Sequence, residues 1–179
     1  MRVIFKFGHA VKVNFTHRRS GVLLHPTSLP GPYGIGDLGP EAYRFINDLV
    51  DMGQSLWQIL PIGPTDNSHS PYSLLSVFAG NHQWISFDLL VKDGLLDIDK
   101  LKNFPKYNSS RVEFNQILNS RMKILEYVCE NFSKFSNTDI IKKYEKFIDK
   151  NKFWLDDFTH FWSLKKYNKS NQSWRHWNL

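Results

Sequence analysis

Apolar residues recur along this chain with two different periods. Between residues 40 and 53, Ala42, Phe45, Ile46, Leu49 and Val50 follow the i, i+3, i+4, i+7, i+8 spacing of a helix with one apolar face. Pro40 suits the first turn of such a helix, where its missing N–H has no partner to lose. Glu41 adds a favourable charge at the N-terminus, and Gly53 fits the position just past the C-terminal end. Two short apolar runs flank this helix. Gly21-Val22-Leu23-Leu24-His25 stops at Pro26, and Ser55-Leu56-Trp57-Gln58-Ile59-Leu60 stops at Pro61. Both read as buried strands. Strands joined by one helix pair in parallel through a right-handed crossover. A long turn-rich loop, Pro26 to Gly39, separates the first strand from the helix.

Beyond residue 100 the helical period takes over. Residues 112–132 place Phe114, Ile117, Leu118, Ile124, Leu125, Val128 and Phe132 on one side. Thr138 is a suitable N-cap for a second helix over 139–149, with Ile140, Ile141, Tyr144, Phe147 and Ile148 as its stripe. A third, over about 153–167, is apolar almost all round, with Asp156 and Asp157 in its first turns. Punctuation agrees with this division. Residues 20–80 hold seven of the 8 prolines and eight of the 10 glycines, whereas residues 100–179 hold one proline and no glycine. Strands and shaped loops are expected first, helices second. Met1–Phe15 has apolar residues at odd positions, which resembles a strand pair but also suits an extension without structural role.

Composition narrows the class. At 41% hydrophobic and 22% charged, the chain is globular in type. The net charge of +6 is uneven, −2 over residues 1–99 and +8 over 100–179. The lysines of the basic half alternate with acids at helical spacing, as in Lys142-Lys143-Tyr144-Glu145-Lys146. That reads as a solvated helix face, without the like-charge runs of a nucleic-acid tail. No stretch reaches 18 apolar residues, so no membrane span is expected. The single cysteine, Cys129, cannot form an internal disulfide, which suits a reducing compartment, and its place in an apolar stripe suits core filling. No His/Cys/Asp/Glu spacing makes a metal site, and no cofactor is expected.

The first half also carries specific strings. Ser20-Gly-Val-Leu-Leu-His-Pro-Thr-Ser-Leu-Pro-Gly-Pro-Tyr-Gly-Ile-Gly-Asp-Leu-Gly39 is followed by Gln54-Ser-Leu-Trp-Gln-Ile-Leu-Pro-Ile-Gly-Pro-Thr65, Ser70-Pro71-Tyr72 and Phe78-Ala79-Gly80-Asn81. Later come Phe153-Trp154-Leu155-Asp156-Asp157-Phe158 and the pair Trp174 and Trp177. In this order these segments resemble the N-terminal part of the 4-α-glucanotransferase family, the amylomaltases or disproportionating enzymes. The resemblance runs from about residue 18 to 177, more loosely between 97 and 150.

The resemblance implies an α/β fold, the first two β/α units of a (β/α)8 TIM barrel followed by a mainly helical insert subdomain. The divisions expected are 1–17 as an N-terminal extension, 18–96 as barrel strands, helix and active-site loops, and 97–179 as the insert. The implied activity is transfer of α-1,4-glucan segments between maltooligosaccharides by a retaining enzyme in the cytoplasm. An aspartate is nucleophile, a glutamate acid and base, and a second aspartate steadies the transition state. The implied partner is an α-1,4-glucan or maltooligosaccharide, with no nucleic acid and no membrane. In such barrels the site forms at the C-terminal ends of the strands, hence at the Pro/Gly-rich loops after His25 and Leu60. The substrate-binding residues implied are Tyr72, Ser70 and Pro71, with Tyr72 beside the glucose ring at the cleavage point.

Other residues take blander roles. Asp37 is a helix-capping or loop-bracing carboxylate, and His25 a hydrogen-bonding strand end. Trp57 is core, and Asn81 structural. Gly34-Ile-Gly-Asp-Leu-Gly39 matches a dinucleotide fingerprint literally, but a proline-rich loop separates it from the strand. Relatives often read Gly-Pro-Thr-Gly-Tyr-Gly-Asp-Ser-Pro-Tyr where this chain has Gly63-Pro64-Thr65-Asp66-Asn67-Ser68-His69-Ser70-Pro71-Tyr72. Asn67 thus replaces an aromatic that contacts glucan at a secondary site in some relatives, and His82 stands where proline is usual. No carboxylate pair matches the family's catalytic motifs, so no catalytic residue is assigned. A barrel takes ~250 residues, so the chain is expected to stop early and to be inactive alone. A non-catalytic glucan-binding module and a basic nucleic-acid-binding protein are the competing readings.

Overall fold

The computed structural model describes residues 18–108, 110–168 and 177. The resemblance to a strand pair in Met1–Phe15, and Trp174, lie outside the described residues. Within them the architecture is α/β. Strand β1 (Gly21–Leu23), helix α1 (Pro40–Asp51) and strand β2 (Leu56–Gln58) come first. The short α2 (Phe87–Lys92) and then α3 (Phe114–Glu130), α4 (Phe132–Phe135) and α5 (Thr138–Tyr167) follow.

The two strands pair in parallel, with Gly21 opposite Leu56, Val22 opposite Trp57 and Leu23 opposite Gln58. The ladder extends one bond at each end, from Ser55 N–H to the Ser20 carbonyl and from Leu24 N–H to the Gln58 carbonyl. Only glycine fits at position 21, because a Cβ there would stand 2.5 Å from the Leu56 carbonyl oxygen. The strands were expected to be buried, and they are not. Leu23 is 57% and Leu56 42% exposed, and Trp57 is half-buried. The pair has a helix against it but no third strand among the described residues, so the sheet is left partly open. Trp57 is anchored instead by its indole N–H, which donates to the Leu24 carbonyl at 2.7 Å, and by an edge contact with Phe45.

Helix α1 starts and stops where its sequence indicates. Gly39 is the N-cap and Pro40 the first residue. At the other end Gly53 N–H donates to the Val50 carbonyl and Gln54 N–H to that of Leu49, closing a Schellman motif. That motif needs a left-handed residue, and Gly53 has φ 69°. Ala42 and Leu49 are buried, whereas Val50 faces solvent.

The core sits between the 87–104 segment and α3. Tyr33, Phe87, Leu96, Leu101, Leu125 and Val128 form one cluster, with Phe104 packed against it. Phe87 and Ile117 are fully shielded from solvent, each burial being worth roughly 1.5–3 kcal/mol. Cys129 is exposed, contrary to its expected core role. It lies one residue past Val128 and so turns off the buried stripe.

The two helices expected over 139–149 and 153–167 are one continuous helix, α5. The connecting residues Asp149, Lys150, Asn151 and Lys152 contain no glycine or proline to stop it. Asn151 turns its amide back onto the Phe147 carbonyl at 2.7 Å rather than breaking the turn. The cap of α5 is Asn137, not Thr138, with its Oδ1 accepting from Ile140 N–H. Rings hold α5 to the preceding loop. Phe78 meets Phe153 edge-on and lies parallel to Trp154, and His82 meets Trp162 edge-on.

Candidate functional site

Beyond β1 and β2, two stiffened loops come together with α3 and α5. The first begins at His25. Its Nδ1 lies 2.7 Å from Thr27 Oγ1, and the ring caps the 3-10 turn Pro26–Ser28. This is the strand-end hydrogen-bonding role expected of it. Burial lowers the imidazole pKa, with a smaller opposing pull from the Pro61 backbone. The loop then runs to Asp37, whose Oδ1 accepts from Gly39 N–H at 2.9 Å. Its Oδ2 stands 3.7 Å from the fully buried Arg121 on α3. Asp37 is therefore a brace that ties the loop to α3. Burial raises its pKa to about 6, against the opposing pull of Arg121 and the Gly39 N–H.

Arg121 was not singled out in the sequence. It lies four residues after Ile117 and four before Leu125, on the stripe that packs inward. A charged residue at that register was the available signal. Its Nη2 donates to the Ile85 carbonyl at 2.6 Å, and the guanidinium lies 4.3 Å above the Phe87 ring. Burial lowers its pKa, and Asp37 and Tyr33 counteract that shift.

The second loop is closed at its base by a bridge between Thr65 and Leu74 and by Leu75 N–H to the Pro64 carbonyl at 2.8 Å. Inside it, Asp66 Oδ1 accepts from the Ser68 hydroxyl and backbone N–H. Those bonds hold its pKa below the ordinary carboxylate value. Ser70 Oγ accepts from Tyr72 N–H at 3.3 Å, so this hydroxyl shapes the turn. Tyr72 itself is 75% exposed.

Between the loops and the two helices lies a cavity of about 520 Å³. Aromatic walls come from Trp84, Phe114 and Trp162, and polar groups from His25, Asn81 and His82. Pro71 reaches the cavity wall, whereas Ser70 and Tyr72 are not among its lining. Tyr72 presents its ring to solvent immediately beyond Pro71. Asn81 is structural, as expected: its Oδ1 accepts from Gln83 N–H and caps the turn His82–Trp84. His82 is partly buried against Trp162, and desolvation, with a smaller contribution from Arg121, lowers its pKa to about 4. No cluster of His, Cys, Asp and Glu suited to a metal ion occurs among the described residues. No described helix is long and apolar enough to cross a membrane.

Sequence reasoning also passed over His69. Its backbone φ is 57°, its ring stacks on Phe114, and its Nε2 lies 3.0 Å from Asn115 Oδ1. No periodicity or turn signal marks such a residue in advance.

Comparison with known proteins matches this arrangement of loops and helices. A family model described as 4-alpha-glucanotransferase matches residues 24–179. A 4-alpha-glucanotransferase of Clostridium butyricum is 42% identical over 157 residues, 87% of this chain and 31% of the relative. One from Streptococcus pneumoniae is 40% identical over 161 residues, 89% of this chain and 31% of the relative. Among solved structures, an amylomaltase from Streptococcus agalactiae in complex with acarbose superposes with a TM-score of 0.83 at 36% identity. That match covers 91% of this chain and 32% of the amylomaltase. The chain spans about a third of the length of the curated relatives it matches.

Proposed function

The chain belongs to the 4-α-glucanotransferase family, and from that premise we propose that it forms part of the sugar-holding wall of an enzyme that moves α-1,4-glucan segments between maltooligosaccharides. In this reading residues 18–96 are the first two β/α units of a (β/α)8 barrel and 97–179 a helical insert. No carboxylate among these 179 residues is assigned to breaking or remaking the glycosidic bond. Retaining transfer uses a carboxylate nucleophile and a second carboxyl as acid and then base. Transfer wins over hydrolysis when an acceptor sugar, rather than water, is held against the intermediate. The residues of this chain serve that end by holding sugar, not by moving protons. We place the enzyme in the cytoplasm.

One observation carries the reading. Tyr72 stands exposed on a turn fixed by Pro71 and by the Ser70 hydroxyl, directly beside the cavity. An aromatic face suits the C–H face of a pyranose, and its hydroxyl can meet a sugar oxygen. A prolyl turn holds that ring at small entropic cost. The glucan bound is of the class suggested by the acarbose complex of the Streptococcus agalactiae relative.

The test is a calorimetric titration of the chain with maltoheptaose. Binding is expected, weakened about tenfold in Tyr72→Ala, the loss of one sugar–aromatic contact. Equal affinity in the two proteins contradicts the assignment of Tyr72. The purified chain is expected to release no glucose from maltotriose. Binding without such release on joining to a catalytic partner would favour the non-catalytic module instead.

A further inference from the structure

We propose that His69 is a positioning residue, which clasps the Ser70-Pro71-Tyr72 turn to α3 and so sets where the Tyr72 ring stands; this rests on the reading of Tyr72 as a sugar-binding residue. Several of the bonds that shape this loop are short-range. Asp66 N–H donates to the Ser73 carbonyl, His69 N–H to that of Asp66, and Ser73 N–H to that of Ser70. Such bonds define the shape of the tip but not its place relative to the rest of the molecule. The His69 side chain makes contacts that reach beyond the loop. Its Nε2 meets Asn115 Oδ1 at 3.0 Å across 46 residues of sequence. Its ring lies 5.0 Å from that of Phe114, with 11° between the planes. Phe114 and Asn115 are the first two residues of α3, which Arg121 and Asp37 lock to the core.

The backbone supports the same reading. At φ 57° His69 occupies the left-handed region, which a residue with a Cβ adopts at a cost. Strain of this kind persists where the surroundings impose it, and it gathers at ligand-holding turns. Here it turns the imidazole toward α3 while the chain continues into Ser70. His69, Pro71 and Phe114 all line the cavity, so the clasp closes the corner beside Tyr72.

Two measurements on the 179-residue chain test it together. Amide hydrogen exchange across residues 66–73 is expected to speed up about tenfold in His69→Ala, the release of one stack and one hydrogen bond. Maltoheptaose affinity is expected to fall about five- to tenfold in His69→Ala and in Phe114→Ala, and no further in the double variant, because both remove one interaction. In a Tyr72→Ala background, His69→Ala should change affinity no more, which a general loss of structure would not reproduce. Unchanged exchange in His69→Ala overturns the clasp. Faster exchange with unchanged affinity overturns the positioning role. Binding that falls with Tyr72→Ala but not with His69→Ala overturns this inference alone, whereas a chain that binds no maltoheptaose overturns the sugar-binding reading with it.

Discussion

His82 offers a sharp test of the packing around the cavity. Its imidazole is packed against Trp162, and its pKa in the fold is about 4, below the ordinary 6.5. Between those values the unfolded chain binds a proton that the folded chain excludes. Stability is therefore present above pH 6.5 and is lost as pH falls toward 4. At pH 5.0 the unfolded imidazole is almost wholly protonated and the folded one mostly neutral, a difference of about 1.5 pK units or about 2 kcal/mol. At pH 7.5 the same contribution is close to zero.

The informative substitution is His82→Pro. The residue opens a 3-10 turn, a position where proline is accepted. Asn81 before it already has φ −77° and ψ 114°, in the extended region that proline requires of its predecessor. The variant loses the ring contact with Trp162 at every pH, so the difference between two pH values isolates the proton. Urea unfolding followed by tryptophan fluorescence at pH 7.5 and 5.0 measures it. On acidification the parent should lose about 2 kcal/mol relative to His82→Pro. An offset between the two proteins that is the same at both pH values would show that His82 is not held neutral in the fold.

Other predictions follow from the loop braces and the helix faces. Arg121→Ala leaves the Asp37 carboxylate buried without its counter-charge and should cost about 3–5 kcal/mol in urea unfolding. The paired change Arg121→Met with Asp37→Asn removes both charges and should recover most of that loss, whereas a double variant no more stable than Arg121→Ala would show that the pair is not what matters. Cys129 should react with a thiol reagent in the native chain at the rate of an exposed thiol, and protection until unfolding would contradict its placement on the outer side of α3.

How much could be read from the sequence depended on whether the physics was local. Helix α1 was legible to within a residue, because Pro40, the apolar stripe and Gly53 all act within a few residues of their own positions. The parallel pairing of β1 and β2 followed from the intervening helix. The exposure of Leu23 and Leu56 did not, because burial of a strand depends on what covers it. The two helices expected over 139–149 and 153–167 form one, α5. A helix ends at a backbone signal rather than at a polar stretch, and Asn151 supplies an internal bond instead.

At the site, Tyr72, Ser70 and Pro71 were named from a resemblance between strings. The structure leaves Tyr72 exposed, puts Pro71 at the cavity and gives Ser70 to the turn. Asp37 was legible as a brace, but its partner was not. Arg121 meets it across 84 residues of sequence, and no local pattern links the two. The same holds for His69 and α3. Contacts between loops and distant helices arise from tertiary packing, so the sequence marks their participants only as residues out of register.

In the proposed function the turn bearing Tyr72 holds glucan, and a chimera with a relative decides whether it does. Residues 18–177 of this chain replace the corresponding N-terminal third of the Streptococcus pneumoniae relative, and glucose release from maltotriose is followed. The chimera is expected to disproportionate maltotriose, with kcat/KM reduced about tenfold or more by Tyr72→Ala, the loss of one contact made to the bound sugar. A folded chimera without activity, or one as active with Ala at position 72 as with Tyr, would contradict it.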